Sequence, residues 1–237
     1  MCGRSSLTKT EKEIEARFNA TFYSEELERY NPLPNFNVAP TQMAPVITCE
    51  EPDHLRLFRW GLIPFWAKDK SIGSKMINAR VETLMEKPVF KSLLISRRCI
   101  VPMDGFYEWK TEGKIKTPFR ILTSDQDVFS VAGLWDIWHV PDTGEIISSF
   151  TLITTQPNRL MEKIHDRMPA ILLPENERLW LDTGIKPADA IQLITPYPAE
   201  NMDAYEVSAK VNNVRSNDPS LILPVDSLPS VIQTSLF

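Results

Sequence analysis

The 237-residue sequence predicts one α+β domain spanning residues 1–237, built on a curved antiparallel β-sheet or partial barrel with peripheral helices. Three observations predict it. Seven strand-like runs occur, several of them alternating and separated by short turns such as Thr111-Glu112-Gly113-Lys114 and Pro141-Asp142-Thr143-Gly144, a pattern that favours hairpins over parallel crossovers. Helical patterns are short. No repeat, low-complexity run or linker divides the chain, and 43% hydrophobic with 24% charged residues is the balance of a soluble globular protein with a sizeable core.

Thr10 followed by Glu13 has the form of a capping box, and Ile14 and Phe18 lie four apart on one face, so a short helix is predicted over Thr10 to Phe18. Tyr30 to Pro45, rich in Pro and Asn, reads as a loop. Strands are predicted at Pro45 to Cys49, Leu55 to Leu62, Arg98 to Met103, Gly105 to Lys110, Pro118 to Thr123, Val128 to Leu134 and Ile146 to Thr154. Helices are predicted at Lys87 to Ile95, Asn158 to His165, Glu175 to Asp182 and Pro187 to Ile194. From Val211 onward Asn, Ser, Asp and Pro dominate, which predicts an extended segment laid across the surface.

Composition narrows the function classes. The start, Met1-Cys2-Gly3-Arg4, is neither a basic n-region nor an apolar one, and no stretch approaches the roughly 20 apolar residues of a membrane helix, so neither secretion nor membrane insertion is expected. Cys2, Cys49 and Cys99 are too few and too scattered for a disulfide framework or a zinc site, which points to a reducing, cytoplasmic setting with no metal. No Gly-rich phosphate loop is present, so no nucleotide cofactor is indicated, and no other cofactor is called for. The net charge is −5, but Arg56 to Lys116 holds 13 Lys and Arg against 6 Asp and Glu, a balance of +7 that leaves −12 elsewhere. Such a segment can build a phosphate-binding surface that the global charge conceals, or can simply be solvated loop charge.

Cys2 is the first candidate for chemistry, because removal of Met1 would leave an amine and a thiol on one residue. An α-amino group titrates at about 7.7–8.0 against ~10.4 for Lys, so far more of it is free base at neutral pH. It can attack an aldehyde, and the adjacent thiol can close on the imine to give a five-membered thiazolidine. A terminal cysteine with no role is the plain alternative. In Gly105-Phe106-Tyr107-Glu108-Trp109, alternation sets Glu108 among aromatic residues, where desolvation would raise its pKa for proton transfer; an exposed edge-strand Glu is the bland reading. His165 precedes Pro169 at a predicted helix end, suited either to acid–base work or to a helix-terminal cation. Asn78 and Arg80 share one side of Ile77-Asn78-Ala79-Arg80 if it is extended, an amide to orient a nucleophile beside a guanidinium for phosphate, or else a turn Asn and a surface Arg. His54 and His139 flank turns and carry no functional expectation.

Taken together, these segments resemble the SRAP family, named for the SOS response-associated peptidase and comprising proteins that trap abasic sites in single-stranded DNA. The resemblance rests on Met1-Cys2-Gly3-Arg4, Asn37-Val38-Ala39-Pro40, Arg59-Trp60-Gly61-Leu62-Ile63-Pro64, Ile77-Asn78-Ala79-Arg80-Val81-Glu82-Thr83, Arg98-Cys99-Ile100-Val101-Pro102, Gly105-Phe106-Tyr107-Glu108-Trp109 and His165-Asp166-Arg167-Met168-Pro169, continuing into Val211-Asn212 and Asn217-Asp218-Pro219. It implies that Cys2 is a nucleophile whose amine and thiol cross-link to the ring-opened abasic sugar, and that Asn78 positions it. Glu108 would assist proton transfer at the amine, and His165 would serve sugar ring opening and adduct reversal. Arg4, Arg80 and Arg167 match phosphate-contacting positions, while Trp66 and Thr154 match residues lining the DNA channel. The implied partner is single-stranded DNA containing abasic sites, with the protein cytoplasmic and on the nucleoid when bound. The Pro141 to Glu145 loop and the acidic C-terminal third are less typical of the family.

Two other readings stay open at this point. An N-terminal-cysteine peptidase or amidohydrolase would use Cys2 on an amide carbonyl with Asn78 at the oxyanion, and a non-enzymatic single-strand binding module would be indifferent to base loss.

Overall fold

Five strands close into a barrel through one parallel pairing. The computed structural model describes residues 2–141 and 143–227. In chain order its elements are β1 (Ser5–Leu7), α1 (Glu11–Phe18), β2 (Thr21–Phe22), α2 (Ser24–Arg29), β3 (Asn35–Val38), β4 (Met43–Thr48), β5 (His54–Trp60), β6 (Asn78–Arg80), α3 (Pro88–Ser96), β7 (Arg98–Met103), β8 (Gly105–Glu112), β9 (Ile115–Thr123), β10 (Phe129–His139), β11 (Ile146–Thr155), β12 (Met168–Pro169), α4 (Pro174–Leu181), α5 (Pro187–Gln192) and β13 (Met202–Glu206). The antiparallel series β5-β4-β7-β10-β11 returns to β5 through the parallel pairs Ser149↔Arg59 and Phe150↔Trp60. A second sheet, ordered β13-β9-β8-β1-β3, carries the N-terminal strand.

The barrel strands are buried on both faces, which is why they read as nearly continuous apolar runs. Val46, Phe58, Trp60, Cys99, Val101, Val131, Phe150 and Leu152 form one cluster, which also takes in Cys2 and Phe106. Their alternating neighbours Ile47, Leu57, Ile100, Ala132, Leu134 and Ile153 pack instead against Ile14 of α1, Phe90, Leu93 and Leu94 of α3, and Trp180 and Leu181 of α4. Helices therefore cover the outside while the first cluster fills the inside, and the single α+β domain predicted from the sequence is the one observed. Gly61 ends β5 at φ +115, and a Cβ there would sit 2.6 Å from the Gly73 carbonyl oxygen; two glycines let the Lys70–Lys75 turn lie directly on the strand end.

The predicted capping box forms: Thr10 Oγ1 accepts the Glu13 N–H at 3.4 Å and the Glu13 carboxylate accepts the Thr10 N–H at 2.8 Å. Gly113 supplies the positive φ (+61) of the tight β8–β9 turn. Four expectations need correction. The Tyr30 to Pro45 loop contains β3, whose polar Asn35 and Asn37 concealed it; both side chains make internal hydrogen bonds. Asn158 to His165 is not an α-helix but one 3-10 turn, Met161–Lys163, because the Asn158 side chain accepts the Leu160 and Met161 N–H groups and closes a turn first. The tail from Val211 is anchored rather than extended, through 3-10 turns at Ala209–Asn212 and Pro219–Ile222 that bury Val211 and Leu221 against Tyr107. Pairing is not antiparallel throughout, since β2–β5, β5–β11 and β6–β11 are parallel. Residues 228–237 of that tail and Asp142 of the Pro141 to Glu145 loop lie outside the described residues. No described helix is long and apolar enough to cross a membrane.

Candidate active site

The sequence brings Cys2 into the fold by fastening the strand behind it. β1 pairs antiparallel with the start of β8 (Ser5↔Phe106), and the Tyr107 N–H donates to the Arg4 carbonyl at 2.9 Å. Buried Asp104 accepts from Ser6 Oγ (2.6 Å), from the Thr8 N–H (2.5 Å) and Oγ1 (2.6 Å), and from the Arg120 guanidinium (3.2 Å). Arg4, on the other side, donates to Asn37 Oδ1 (2.7 Å) and to the Val211 carbonyl (2.5 Å). Cys2 itself is fully buried, and Asn78 Nδ2 donates to its carbonyl at 2.7 Å. Asn78 can do so because β6 is held in parallel register on β11, Leu152↔Asn78. Its Oδ1 is buried without a hydrogen-bond partner among the described residues.

Continuing the β1–β8 register carries the chain start toward Glu108. Burial pushes the Cys2 thiol well above the ordinary thiol range, and the Glu108 charge adds to the effect. Glu108 is itself buried, which raises its carboxyl above the ordinary range against the opposing pull of nearby positive charge, His165 included. His165 Nε2 lies 3.9 Å from Glu108 Oε2. The other ring nitrogen has two neighbours with opposite demands: the Arg167 N–H donates to Nδ1 at 3.1 Å, while the exposed Asp166 carboxylate stands 2.9 Å away. The backbone amide is the fixed partner, so it assigns the hydrogen of the neutral ring to Nε2, facing Glu108; Asp166 is then placed to steady the protonated ring. Glu108, Trp109, Thr111, Lys116 and His165 line an open depression over this pair. A buried cysteine near the start of the chain, a carboxyl with raised pKa and a partly exposed imidazole can together pass protons to and from a small electrophile.

The other sequence-derived positions divide by exposure. Arg80 is exposed, as are Trp66 (55%) and its neighbour Phe65 (70%). The turn that carries both aromatics is pinned, with the Phe65 N–H on Asp136 Oδ2 (2.9 Å) and the Trp138 indole on the Ala67 carbonyl (2.7 Å). Thr154 is fully buried in β11, opposite Arg80 and Pro169. Arg167 is buried, and its guanidinium is gripped by both carboxylate oxygens of Glu82 (2.6 and 2.9 Å) and by the Thr154 carbonyl (2.6 Å). Arg4 is also buried, 5.9 Å from the Trp109 ring centroid. Of the three arginines matched to phosphate positions, Arg80 is the one that faces solvent. Asn37, Asp104 and Glu82, which organise the site from beneath, were not singled out by sequence; all three lie inside or beside the quoted motifs, but nothing in a sequence pairs a side chain with a partner 30 to 100 positions away.

Known proteins match the chain over most of its length. The family model described as SOS response associated peptidase (SRAP) matches residues 1–214. The chain is 47% identical over 225 residues to Abasic site processing protein YoqW of Bacillus subtilis (strain 168), covering 94% of this chain and 99% of that one. It is 34% identical to Abasic site processing protein HMCES of Xenopus tropicalis, covering 95% of this chain and 78% of the other. A crystal structure of a protein from Bacteroides thetaiotaomicron superposes with a TM-score of 0.86 at 35% identity, over 94% of this chain and 99% of that one.

Proposed function

The chain belongs to the SOS response associated peptidase (SRAP) family, and from that premise we propose that it processes abasic sites, capturing the sugar aldehyde in single-stranded DNA as a covalent thiazolidine on Cys2. The observation that carries the reading is the convergence on Cys2: Asn78 holds its carbonyl at 2.7 Å, and the Glu108–His165 pair stands at the end of the strand register that leads to it.

The order of bond formation follows from the two nucleophiles. Burial keeps the Cys2 thiol protonated at neutral pH, so the α-amine, freed by removal of Met1, attacks first. An abasic sugar is mostly a closed hemiacetal, and His165, lining the depression, is the group that relays the proton which ring opening moves from the anomeric hydroxyl to the ring oxygen. The amine adds to C1′ to give a carbinolamine, which loses water to the imine; Glu108, whose carboxyl burial shifts toward the protonated form, gives the proton that the departing hydroxyl needs. The S–H then adds across the C=N bond, sulfur to carbon and hydrogen to nitrogen, so no oxidant is required. Asn78 Oδ1 is the acceptor that orients the amine. Arg80, Trp66 and the basic Arg56 to Lys116 segment guide the strand by phosphate contact and base stacking, with buried Arg4 adding positive potential, Arg167 a further phosphate contact and Thr154 shaping the channel floor. The setting is the cytoplasm, on damaged nucleoid DNA.

The peptidase alternative fares less well on specific grounds. It needs a thiolate and an oxyanion donor, whereas the thiol is held protonated and the Asn78 amide already donates to the Cys2 carbonyl. The deciding experiment incubates the processed protein with abasic oligonucleotide, intact oligonucleotide and peptide. A heat-stable adduct with abasic DNA alone is expected. Peptide turnover without adduct would select the peptidase, and equal non-covalent binding of both oligonucleotides without adduct would select a binding module.

A further inference from the structure

We propose that Asp136 and Trp138 are positioning residues for strand binding, which hold the exposed Phe65–Trp66 pair in a fixed attitude from beneath. Phe65 and Trp66 stand at the two corners of a turn that the Ala67 N–H closes on the Pro64 carbonyl at 2.8 Å. Each side of this turn meets β10. Asp136 Oδ2 accepts the Phe65 N–H at 2.9 Å, and the Trp138 indole N–H donates to the Ala67 carbonyl at 2.7 Å. Residues two apart on a strand share a face, so these two side chains match two backbone groups that lie two residues apart in the turn. β11 adds a third hold, since Ser149, the cross-strand partner of Asp136, accepts the Ile63 N–H on its Oγ at 2.8 Å. Ile63, Ala67 and Trp138 are buried together in a small apolar cluster of their own.

Asp136 is buried, and its described partners are two backbone N–H groups, of Phe65 and of Ile137, with no cation among them. A buried carboxylate without a counter-ion is unfavourable unless what it holds repays the burial. Outside β10, what it holds is the turn. Two large aromatic residues on a loose loop would lose much of their stacking energy to the ordering of that loop, and a turn fixed beforehand avoids the loss. A negative charge near a surface that meets DNA also works against affinity, so its removal on electrostatic grounds alone would tighten binding. The positioning role requires the opposite sign.

This inference rests on the reading of Trp66 as a base-stacking surface, and the test keeps the two separable. Asp136→Ala, Asp136→Asn, Trp138→Phe and the ring-free variant Phe65→Ala/Trp66→Ala are compared with wild type, each in processed form. Binding of intact single-stranded oligonucleotide is measured over a range of salt, and the rate of adduct formation is followed at saturating abasic oligonucleotide. Asp136→Ala should weaken binding on the order of 10-fold with the slope of log K against log salt unchanged, because stacking and not a phosphate contact is lost. Its saturated rate should stay within about 2-fold of wild type. Asp136→Asn, which keeps one acceptor for the Phe65 N–H, should recover part of the affinity. Trp138→Phe keeps the packing and loses only the indole N–H, so it should weaken binding by a smaller factor, and it carries the test if Asp136→Ala does not fold. Added to the ring-free variant, Trp138→Phe should change affinity by less than about 2-fold, since the turn then has no ring to present. Limited digestion with chymotrypsin, which cuts after aromatic residues, should nick the turn faster in Asp136→Ala and Trp138→Phe than in wild type. Unchanged or tighter binding by these two variants overturns the proposal, as does an equal loss in the ring-free background or a parallel fall in the saturated rate. Wild-type affinity in the ring-free variant would instead remove the stacking surface itself, and the proposal with it.

Discussion

Asn78 donates its side-chain amide to the Cys2 carbonyl at 2.7 Å, and this one hydrogen bond joins the start of the chain to the barrel wall. The donor sits on β6, whose register on β11 is fixed by Leu152↔Asn78 and Ile153↔Ala79. The acceptor leads into β1, which belongs to the other sheet. Cys2 is thus held between two sheets, with Glu108 supplied by one and His165 by the segment that leaves the other. A residue so near a chain end would ordinarily fray, and this clamp holds the proposed nucleophile in one place.

The first prediction concerns the two nucleophiles of Cys2. Protein that retains Met1 has an amide where the amine should be, so it should bind abasic DNA yet form no adduct. Cys2→Ala keeps the terminal amine and should give at most a transient imine with strand cleavage by β-elimination. Cys2→Ser should fall between, since a hydroxyl closes the ring less stably than sulfur. Denaturing gels and intact mass of the products read these three forms beside the processed protein; a heat-stable adduct from Cys2→Ala would remove the thiol from the mechanism.

The second concerns Glu108 and pH. Its carboxyl is raised by burial, so the folded protein disfavours the ionised form. The sign follows: stability from this group is greatest below the ordinary Glu pKa and is lost as pH rises through the elevated folded value. Glu108→Gln, neutral at every pH, should therefore melt higher than wild type at pH 7 and no higher at pH 4. The same change should slow adduct formation on the order of 100-fold by removing the proton donor. Thermal melts at the two pH values and adduct rates check it. A variant that melts lower at pH 7 would show that Glu108 contributes stability there rather than function.

The third concerns Arg80, the exposed member of the three arginines matched to phosphate positions. Arg80→Ala should weaken binding of single-stranded DNA regardless of sequence and flatten the dependence of log K on log salt by about 0.7 for one lost contact. Equilibrium binding at several salt concentrations is the measurement. The saturated adduct rate should change little, and an unaltered slope would place the phosphate elsewhere.

Much of this architecture was legible because apolar periodicity reports burial directly. β7 was read from Arg98 to Met103 with both ends as observed, since its run is unbroken and bounded by Arg97 and Asp104. β3 was missed because Asn35 and Asn37 look like loop residues until Arg4, Val211, Asn213 and Ser216 are brought beside them. Cys2, Asn78, Glu108 and His165 drew notice through residue chemistry and recurring motifs. Which arginines face solvent did not, because Arg80 and Arg167 are alike in sequence and differ in that the Glu82 carboxylate and the Thr154 carbonyl close on Arg167 alone. Internal ion pairs are a product of the three-dimensional fold, and local pattern carries no trace of them.

The last prediction is a stability test away from the site. Arg98 is fully buried at the start of β7 and has no carboxylate partner among its described contacts; its guanidinium instead takes main-chain carbonyls at the ends of two helices. Nε donates to Trp180 (2.5 Å) and Nη2 to Asp182 at the end of α4, while Nη1 donates to Leu94 (2.5 Å) in the last turn of α3. The partial negative charge of two helix C-termini thus takes the place of a counter-ion. Burial lowers the Arg98 pKa, yet an Arg remains charged at any physiological pH. Arg98→Met keeps much of the volume but takes the donors from the Trp180, Leu94 and Asp182 carbonyls and from the more distant Ile95 carbonyl, and each buried unsatisfied group costs about 1–3 kcal/mol. A loss of about 3 kcal/mol or more should lower the melting temperature by roughly 6–12 °C in a protein of this size. Arg98→Lys should recover only part of that loss, because a single ammonium cannot span carbonyls on two helices as the fork does. Well below the melting transition, Arg98→Met should form adduct at the wild-type rate, since its neighbours belong to the outer, helix-covered cluster and not to the one that contains Cys2. A melting temperature within about 2 °C of wild type would mean that water replaces the guanidinium at these helix ends without penalty.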